Sequence, residues 1–331
     1  MIDPKKVFVT GADGMLGSSI CRELIIQGYT VKAMCLPNNK ASTLDGLAIE
    51  KVSGDVADKA FLLKEMKNCN YVIHVAALTH VWPRKISKVI TVNYEGTKNV
   101  MEVAEELKIE RMIHIGTASS FNHGSKLNPG DETNIFEGWK YGMDYISSKF
   151  KAQEMLLEQF SKNGFPVVII NPTFMIGPFD SGPSSGRMVL AIFKDSLKWY
   201  SSGGKNFVFS LDVAKASVNA LYLGETGQCY IAGNENLEYK EFFMKTCKLM
   251  KKQFNMKKAP NSLLLTIGFM SSLLARVSGN PPKISYGMAL LAKEDQYFSP
   301  EKARRVLKMP QTSIEVGIEQ CMDWFKANKY V

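Results

Sequence analysis

The chain has 331 residues, 45% apolar and 22% charged, a balance that excludes a disordered, collagen-like or fibrous protein. Single cores stop growing at roughly 250–300 residues, so a main domain with a smaller lobe is expected. The 41 lysines and arginines exceed the 32 aspartates and glutamates, but the basic residues are scattered apart from short pairs such as Lys251–Lys252, Lys257–Lys258 and Arg304–Arg305. A solvated surface is expected, and no nucleic-acid partner.

Up to about residue 171, short β-rich runs alternate with longer amphipathic stretches. Strands are predicted over Lys5–Thr10, Thr30–Cys35, Ile49–Ser53, Tyr71–Val75, Arg111–Thr117 and Pro166–Asn171. Helices are predicted over Met15–Gln27, Lys59–Lys67, Ile86–Leu107 and Trp139–Ser161. Strands joined by helices of this length pair in parallel through right-handed crossovers, which gives an α/β fold with a doubly wound parallel sheet. After Asn171 a connection rich in Pro, Gly and Ser (Gly177, Pro178, Gly182, Pro183, Gly186) leads into helices and short strands around Phe207 and Tyr230. Residues 1–171 are therefore expected to form a dinucleotide-binding domain. Residues 172–331 are expected to form mainly a substrate lobe, with a segment at about 205–225 returning to the sheet.

Six cysteines (Cys21, Cys35, Cys69, Cys229, Cys247, Cys321) lie at least fourteen residues apart, with no C-x-x-C and no histidine pair beside them. Reduced structural thiols are expected, and no metal site. Residues 1–10 lack the apolar region of a secretory signal and no apolar run reaches the ~20 residues of a membrane span, which points to the cytoplasm. Between Lys258 and Arg276 the chain is uncharged and crowded with leucines. A buried helix is the first expectation for 261–275, and a helix lying on a membrane surface the second.

The strand ending at Thr10 runs into Gly11-Ala12-Asp13-Gly14-Met15-Leu16-Gly17 and then into helix. Gly11 permits the tight turn, Gly14 lets backbone N–H groups approach phosphates, and Gly17 lets the helix pack closely on the strand. A dinucleotide pyrophosphate suits this turn. A nucleoside triphosphate does not, because no G-K-[ST] follows and Gly204-Lys205-Asn206 lacks the magnesium-binding hydroxyl.

The G-x-x-G-x-x-G spacing, followed by Gly54-Asp55-Val56, His74-Val75-Ala76-Ala77 and Val92-Asn93-Tyr94-Glu95-Gly96-Thr97, resembles the extended short-chain dehydrogenase/reductases. The resemblance continues through Asn171-Pro172-Thr173, Ile176-Gly177-Pro178, Phe209 to Ala214, Tyr230 to Gly233 and Phe298-Ser299-Pro300. Within that branch the chain is most similar to dihydroflavonol-4-reductase-like proteins and the hopanoid-associated sugar epimerase group. The resemblance implies a cofactor cradle of Gly11, Asp13, Gly14, Met15, Leu16 and Gly17, completed by Asp55 and Val56 at adenine, Ala76 and Ala77 along the cofactor, and Asn171, Pro172 and Thr173.

The second strand ends Met34-Cys35-Leu36-Pro37-Asn38-Asn39-Lys40 without the carboxylate that usually selects NAD. NADP is preferred over NAD on that ground, with Lys40 as a phosphate partner.

Tyr145 and Lys149 stand four residues apart, one helical turn. A free phenol has a pKa near ~10, and a neighbouring ammonium favours its phenolate, which suits it to general acid–base work. Tyr94 and Lys98 share the spacing, but the resemblance places the tyrosine after the fifth strand, as only Tyr145 is. It also implies Thr117 as the hydroxyl that binds the substrate oxygen, with Ser119 and Ser120 as competitors, and Asn93 as support for a water path to Lys149.

From Pro172 to Pro260 the only arginine is Arg187, whereas Phe174, Met175, Phe179, Met188, Phe193, Trp199 and Tyr200 give the stretch an apolar character. Phe174, Met175 and Arg187 are substrate candidates with Thr79, His80 and Ser119, while Trp82 and His123 also fall near the ligand edge. The expected activity is an NADP(H)-dependent reductase of a ketone or aldehyde of an apolar small molecule, or the reverse alcohol oxidation. The alternative is a sugar or nucleotide-sugar epimerase or dehydratase with tightly held NAD(P). A non-catalytic NADP-binding regulator is a distant third. The resemblance further implies a homodimer through helices Ile86–Leu107 and Trp139–Ser161.

Overall fold

The computed structural model describes residues 5–79, 87–282 and 284–331. Six strands, β1 (Lys6–Thr10), β2 (Thr30–Cys35), β3 (Glu50–Ser53), β4 (Tyr71–His74), β5 (Arg111–Ile115) and β6 (Val167–Pro172), join Cys229–Ala232 in one parallel sheet. The spatial order is Cys229–Ala232, β6, β5, β4, β1, β2, β3, the doubly wound α/β sheet expected. All six residues of β6 are buried, because helices cover both faces and leave the strand no polar side. Alternation sorts the core. Val7, Val9, Ile73 and Ile113 face helices Met15–Ile26 and Ser210–Leu223, while Phe8, Val72 and Met112 face Gly96–Glu106 and Asp144–Asn163.

β1 pairs with β2 on one side and β4 on the other. The winding reverses beside it, and the crevice outside the carboxyl ends of β1 and β4 is the switch point where such sheets bind ligands.

Beyond Pro172 the strand Phe174–Ile176 leaves the sheet and pairs with Gly204–Phe209, which also pairs with Glu235–Glu238 and Asp295–Gln296. This small sheet and helices Gly186–Phe193, Tyr239–Leu249 and Ile314–Ala327 enclose a core of their own around Phe207, Phe242, Ile318 and Phe325. The segment expected at 205–225 divides between the two bodies. Its strand, Gly204–Phe209, lies in the small sheet, whereas Ser210–Leu223 packs beside Met15–Ile26 against the large one.

Two predicted helices are interrupted. From Ser87 onward, the stretch predicted as Ile86–Leu107 is α-helical to Ile90, widens into a π turn over Thr91–Glu95, and resumes as α-helix over Gly96–Glu106. The π turn buries Asn93 completely, a placement typical of functional sites. The stretch Trp139–Ser161 divides at Gly142, whose φ of +58° ends the short turn Gly138–Tyr141, and the long helix runs Asp144–Asn163. β5 stops at Ile115, so Thr117 caps the turn Ala118–Ser120 instead of closing the strand. All six cysteines are buried free thiols.

Candidate active site

The glycine turn sits at the switch point and its geometry is tight where the sequence demands glycine. Gly11 has φ +62°, and a Cβ there would lie 2.7 Å from the Ala76 Cα. A Cβ on Gly17 would lie 2.1 Å from the Gly11 carbonyl oxygen. Gly14 is different: a Cβ there would meet no protein atom closer than 3.5 Å, so its glycine leaves room on the open side. It is the N-cap of Met15–Ile26, and no side chain caps that first turn. Backbone N–H groups are therefore presented with room for an anion, and an NAD(P) pyrophosphate fits this cradle.

Thr10 fastens the turn to β4. Its hydroxyl accepts from the Val75 and Ala76 N–H groups, both at 3.2 Å, and lies 2.8 Å from His74 Nδ1. Thr97 donates to the Asn93 carbonyl at 2.8 Å and so accepts from His74 Nε2 at 3.0 Å. This network assigns His74 as the neutral Nε2–H tautomer, with Thr10 donating to Nδ1. Burial, and then the Lys149 ammonium, push its pKa down to about 3. His114 lies 5.4 Å away ring to ring, fully buried, with neither ring nitrogen hydrogen-bonded among the described residues. Burial holds it neutral too.

Tyr145, Lys149 and Thr117 meet at the carboxyl end of β5. Tyr145 is partly buried and shares a hydrogen bond with Thr117. Lys149 is buried, and its ammonium donates to the Ile115 carbonyl at 2.5 Å. Burial lowers its pKa to about 7. Burial raises the Tyr145 phenol, and Thr117 is what opposes the rise. The Lys149 ammonium is engaged by a main-chain oxygen, and the Thr117 hydroxyl opposite Tyr145 favours the ionised phenol.

Two amides act behind this trio. Asn171 spends both Nδ2 hydrogens on the Thr117 carbonyl (3.0 Å) and Gln153 Oε1 (2.8 Å). Asn93 accepts from Leu78 N–H (2.8 Å) and donates to the Leu78 carbonyl (3.0 Å) and the Ser148 hydroxyl (3.2 Å). Ser148 donates in turn to the Tyr145 carbonyl at 3.0 Å. Asn171 braces Thr117, and Asn93 staples the loop after β4 to the helix of Tyr145. Gln153 and Ser148 escaped the sequence reading because their partners lie 18 and 55 residues away.

The remaining predicted residues are dispersed. Asp13 accepts from Asn39, and its carbonyl accepts from Thr43 at 2.8 Å, so a carboxylate from the turn reaches the end of β2 after all. Burial raises its pKa. Lys40 is exposed in the same loop. Met15 is partly exposed and Leu16 buried. Asp55 folds into a turn that accepts from Ala57 N–H, and the buried Val56 packs against Gly96. Ala77, like Ala76, lies partly exposed after β4. Pro172 stands in register with Ala232, and the Thr173 hydroxyl donates to Asn206 at 2.8 Å. Thr79 is exposed, whereas His80 and Trp82 lie outside the described residues. Ser119 is partly buried behind Thr117. Arg187 is exposed and turned back to the Ser184 carbonyl. Phe174 packs edge-on to Phe207 and carries the Lys205 ammonium 5.1 Å above its ring. Met175 packs against the large core. His123 binds Tyr141 (3.1 Å) and Glu294 (3.0 Å), tying the loop after β5 to the turn that precedes Tyr145.

Comparison with known proteins gives the family and the fold. A profile described as NAD dependent epimerase/dehydratase family matches residues 7–233. The chain is 27% identical to a putative dihydroflavonol 4-reductase of Synechocystis over 98% of its length and 95% of that protein. It is 26% identical to sterol demethylase protein B of Methylococcus capsulatus, covering 96% of this chain and 97% of the other. The fold superposes on a nucleoside-diphosphate-sugar epimerase from Pseudomonas aeruginosa with a TM-score of 0.80 at 22% identity, over 98% of this chain and 99% of that one.

Proposed function

The chain belongs to the NAD dependent epimerase/dehydratase family, as an NAD(P)-dependent enzyme of the extended short-chain dehydrogenase/reductase type, and on that premise we propose that it reduces a ketone or aldehyde carbonyl on a mainly apolar molecule, with NADPH preferred. One observation carries the reading. Tyr145, hydrogen-bonded to Thr117, has its ring in an apolar cluster with Phe136, Tyr141, Met143, Ile146, Leu290 and Leu291. A phenol so surrounded suits an apolar carbonyl compound better than a hydrated sugar diphosphate. The exposed Arg187, turned toward Ser184, supports the same choice.

The nicotinamide, when bound, supplies or receives the hydride. Tyr145 Oη donates its proton to the carbonyl oxygen as negative charge develops there, and Thr117 Oγ1 hydrogen-bonds the same oxygen. Asn171 and Ser148 hold Thr117 and the Tyr145 turn in register. Lys149 Nζ, near its titration midpoint at neutral pH, returns a proton to Tyr145 once the phenolate has formed. Preference for NADPH rests on Lys40, exposed in the loop after β2, and on the engagement of the Asp13 carboxylate by Asn39.

The experiment is a screen of purified protein with NADPH and NADH against apolar ketones, aldehydes and nucleotide sugars. Net oxidation of NADPH with an apolar carbonyl compound is expected. Isomerisation of a sugar without net cofactor consumption would replace the reductase reading by an epimerase. Cofactor binding with no turnover of any carbonyl would replace it by a binding protein. A higher kcat/KM with NADH than with NADPH would overturn the cofactor preference alone.

A further inference from the structure

The uncharged run noted in the sequence forms helix Asn261–Ser278, about 27 Å long. It is fastened to the protein along one narrow stripe, Leu264, Gly268, Ser272 and Ala275. That stripe lies on helix Tyr286–Ala292. A Cβ on Gly268 would come 2.8 Å from the Ala289 Cβ, and the Ser272 hydroxyl accepts from Tyr286 N–H at 2.9 Å. The rest of the circumference is largely apolar and open, interrupted by Ser262, Thr266 and Ser271, the last donating to the Ile284 carbonyl. Leu263, Ile267, Phe269 and Met270 are exposed, Leu274 is 65% exposed and Val277 84%. Such a contiguous apolar patch on a protein surface calls for a partner. By length and composition alone the helix could cross a membrane. Its attachment along four successive turns instead fixes its axis against the protein body, the geometry of a helix lying in an interface.

Charge identifies the partner. Residues 242–293 contain nine lysines and arginines and no aspartate or glutamate, so this stretch accounts for the whole net charge of +9 and the remaining chain is electroneutral. Lys245 and Lys252 are paired with Glu315 and Asp195, whereas Lys257, Lys258 and Arg276, at the two ends of the helix, are exposed. Lys257 stands in register with Trp199, which is half exposed. Apolar side chains with cations and a tryptophan at the rim match acyl chains below anionic headgroups.

We propose that helix Asn261–Ser278 seats the protein on an anionic lipid bilayer, in the plane of the surface, with its open face among the acyl chains and Lys257, Lys258 and Arg276 against lipid phosphates. The helix beneath it, Tyr286–Ala292, contributes Leu290 and Leu291 to the cluster around Tyr145, so the seated face adjoins the proposed site.

Flotation of the full chain with vesicles tests this without cofactor or carbonyl compound, so its result is independent of the reductase reading. Vesicles of phosphatidylcholine and phosphatidylglycerol should float the protein about tenfold or more better than phosphatidylcholine alone, and the difference should shrink in high salt. Phe269→Glu with Leu274→Glu should reduce the floated fraction about tenfold or more, while thermal midpoints show that both variants fold. Lys257→Glu with Lys258→Glu should remove most of the preference for anionic vesicles. Failure to float with either vesicle overturns the proposal, as does flotation that these substitutions leave unchanged. A concentration-dependent dimer dissolved by Phe269→Glu, in a protein that no vesicle floats, would overturn it in favour of a second copy.

Discussion

Lys149 is a buried ammonium that donates to a neutral carbonyl, that of Ile115. Its pKa, about 7 in the folded chain against 10.5 when solvated, makes stability depend on pH. Between these values the unfolded chain holds a proton that the folded chain releases, so stability rises with pH across about 7 to 10.5 and the full penalty applies below 7. Lys149→Met removes the dependence. Relative to the variant, the natural chain should gain on the order of a few kcal/mol between pH 7 and pH 10, read from thermal midpoints at both pH values. The same substitution should abolish turnover. Tyr145→Phe separates chemistry from binding. It should lower kcat about 10²- to 10⁴-fold with NADPH affinity, measured by fluorescence titration, nearly intact; an equal loss of both would make the tyrosine a structural residue. The Tyr145/Lys149 spacing was legible because one helical turn brings the two together wherever the helix lies. The duties of Asn93 and Asn171 were not, because an amide serves whichever main chain the fold brings to it, here Leu78 and Thr117.

Elements show the same division. The turn from β1 into Met15–Ile26 was readable because its glycines are required by contacts within and just beyond the element. Gly17→Ala would drive a methyl carbon to 2.1 Å from the Gly11 carbonyl oxygen and push the helix start off the strand. Gly11→Ala adds a left-handed φ to a collision with Ala76. Each should weaken NADPH binding at least about tenfold and cost about 1–3 kcal/mol, checked by cofactor titration and urea unfolding. The breaks in the two predicted helices were not readable. Hydrophobic spacing continues through Asn93 and through Gly142; the packing around Thr97, Val56 and Ser148 shows that the backbone widens at the first, and the left-handed φ of Gly142 that it turns at the second.

At the scale of the whole molecule the two lobes are interleaved. The large sheet takes its edge strand from Cys229–Ala232 and a face of its core from Ser210–Leu223. A chain ending at Ile176 would leave β6 unpaired on one side and uncover Ile113 and Ile170. It should retain far-UV helical signal, lose near-UV signal and bind a hydrophobic dye; a cooperative unfolding transition would show that the first lobe folds alone. Composition announced a net charge but a reading by basic pairs missed its placement, since the asymmetry of residues 242–293 lies in the acids that are missing. The sequence by itself determined the parallel α/β fold, the dinucleotide turn and the Tyr145/Lys149 pair, because each is encoded within a few residues by backbone freedom or helical period. Only the tertiary structure decided that Thr117 hydrogen-bonds Tyr145, that Asn93 staples the loop after β4 and Asn171 braces Thr117, and that the leucine-rich helix is exposed, because hydrogen-bond partners and burial are set by segments tens to hundreds of residues apart.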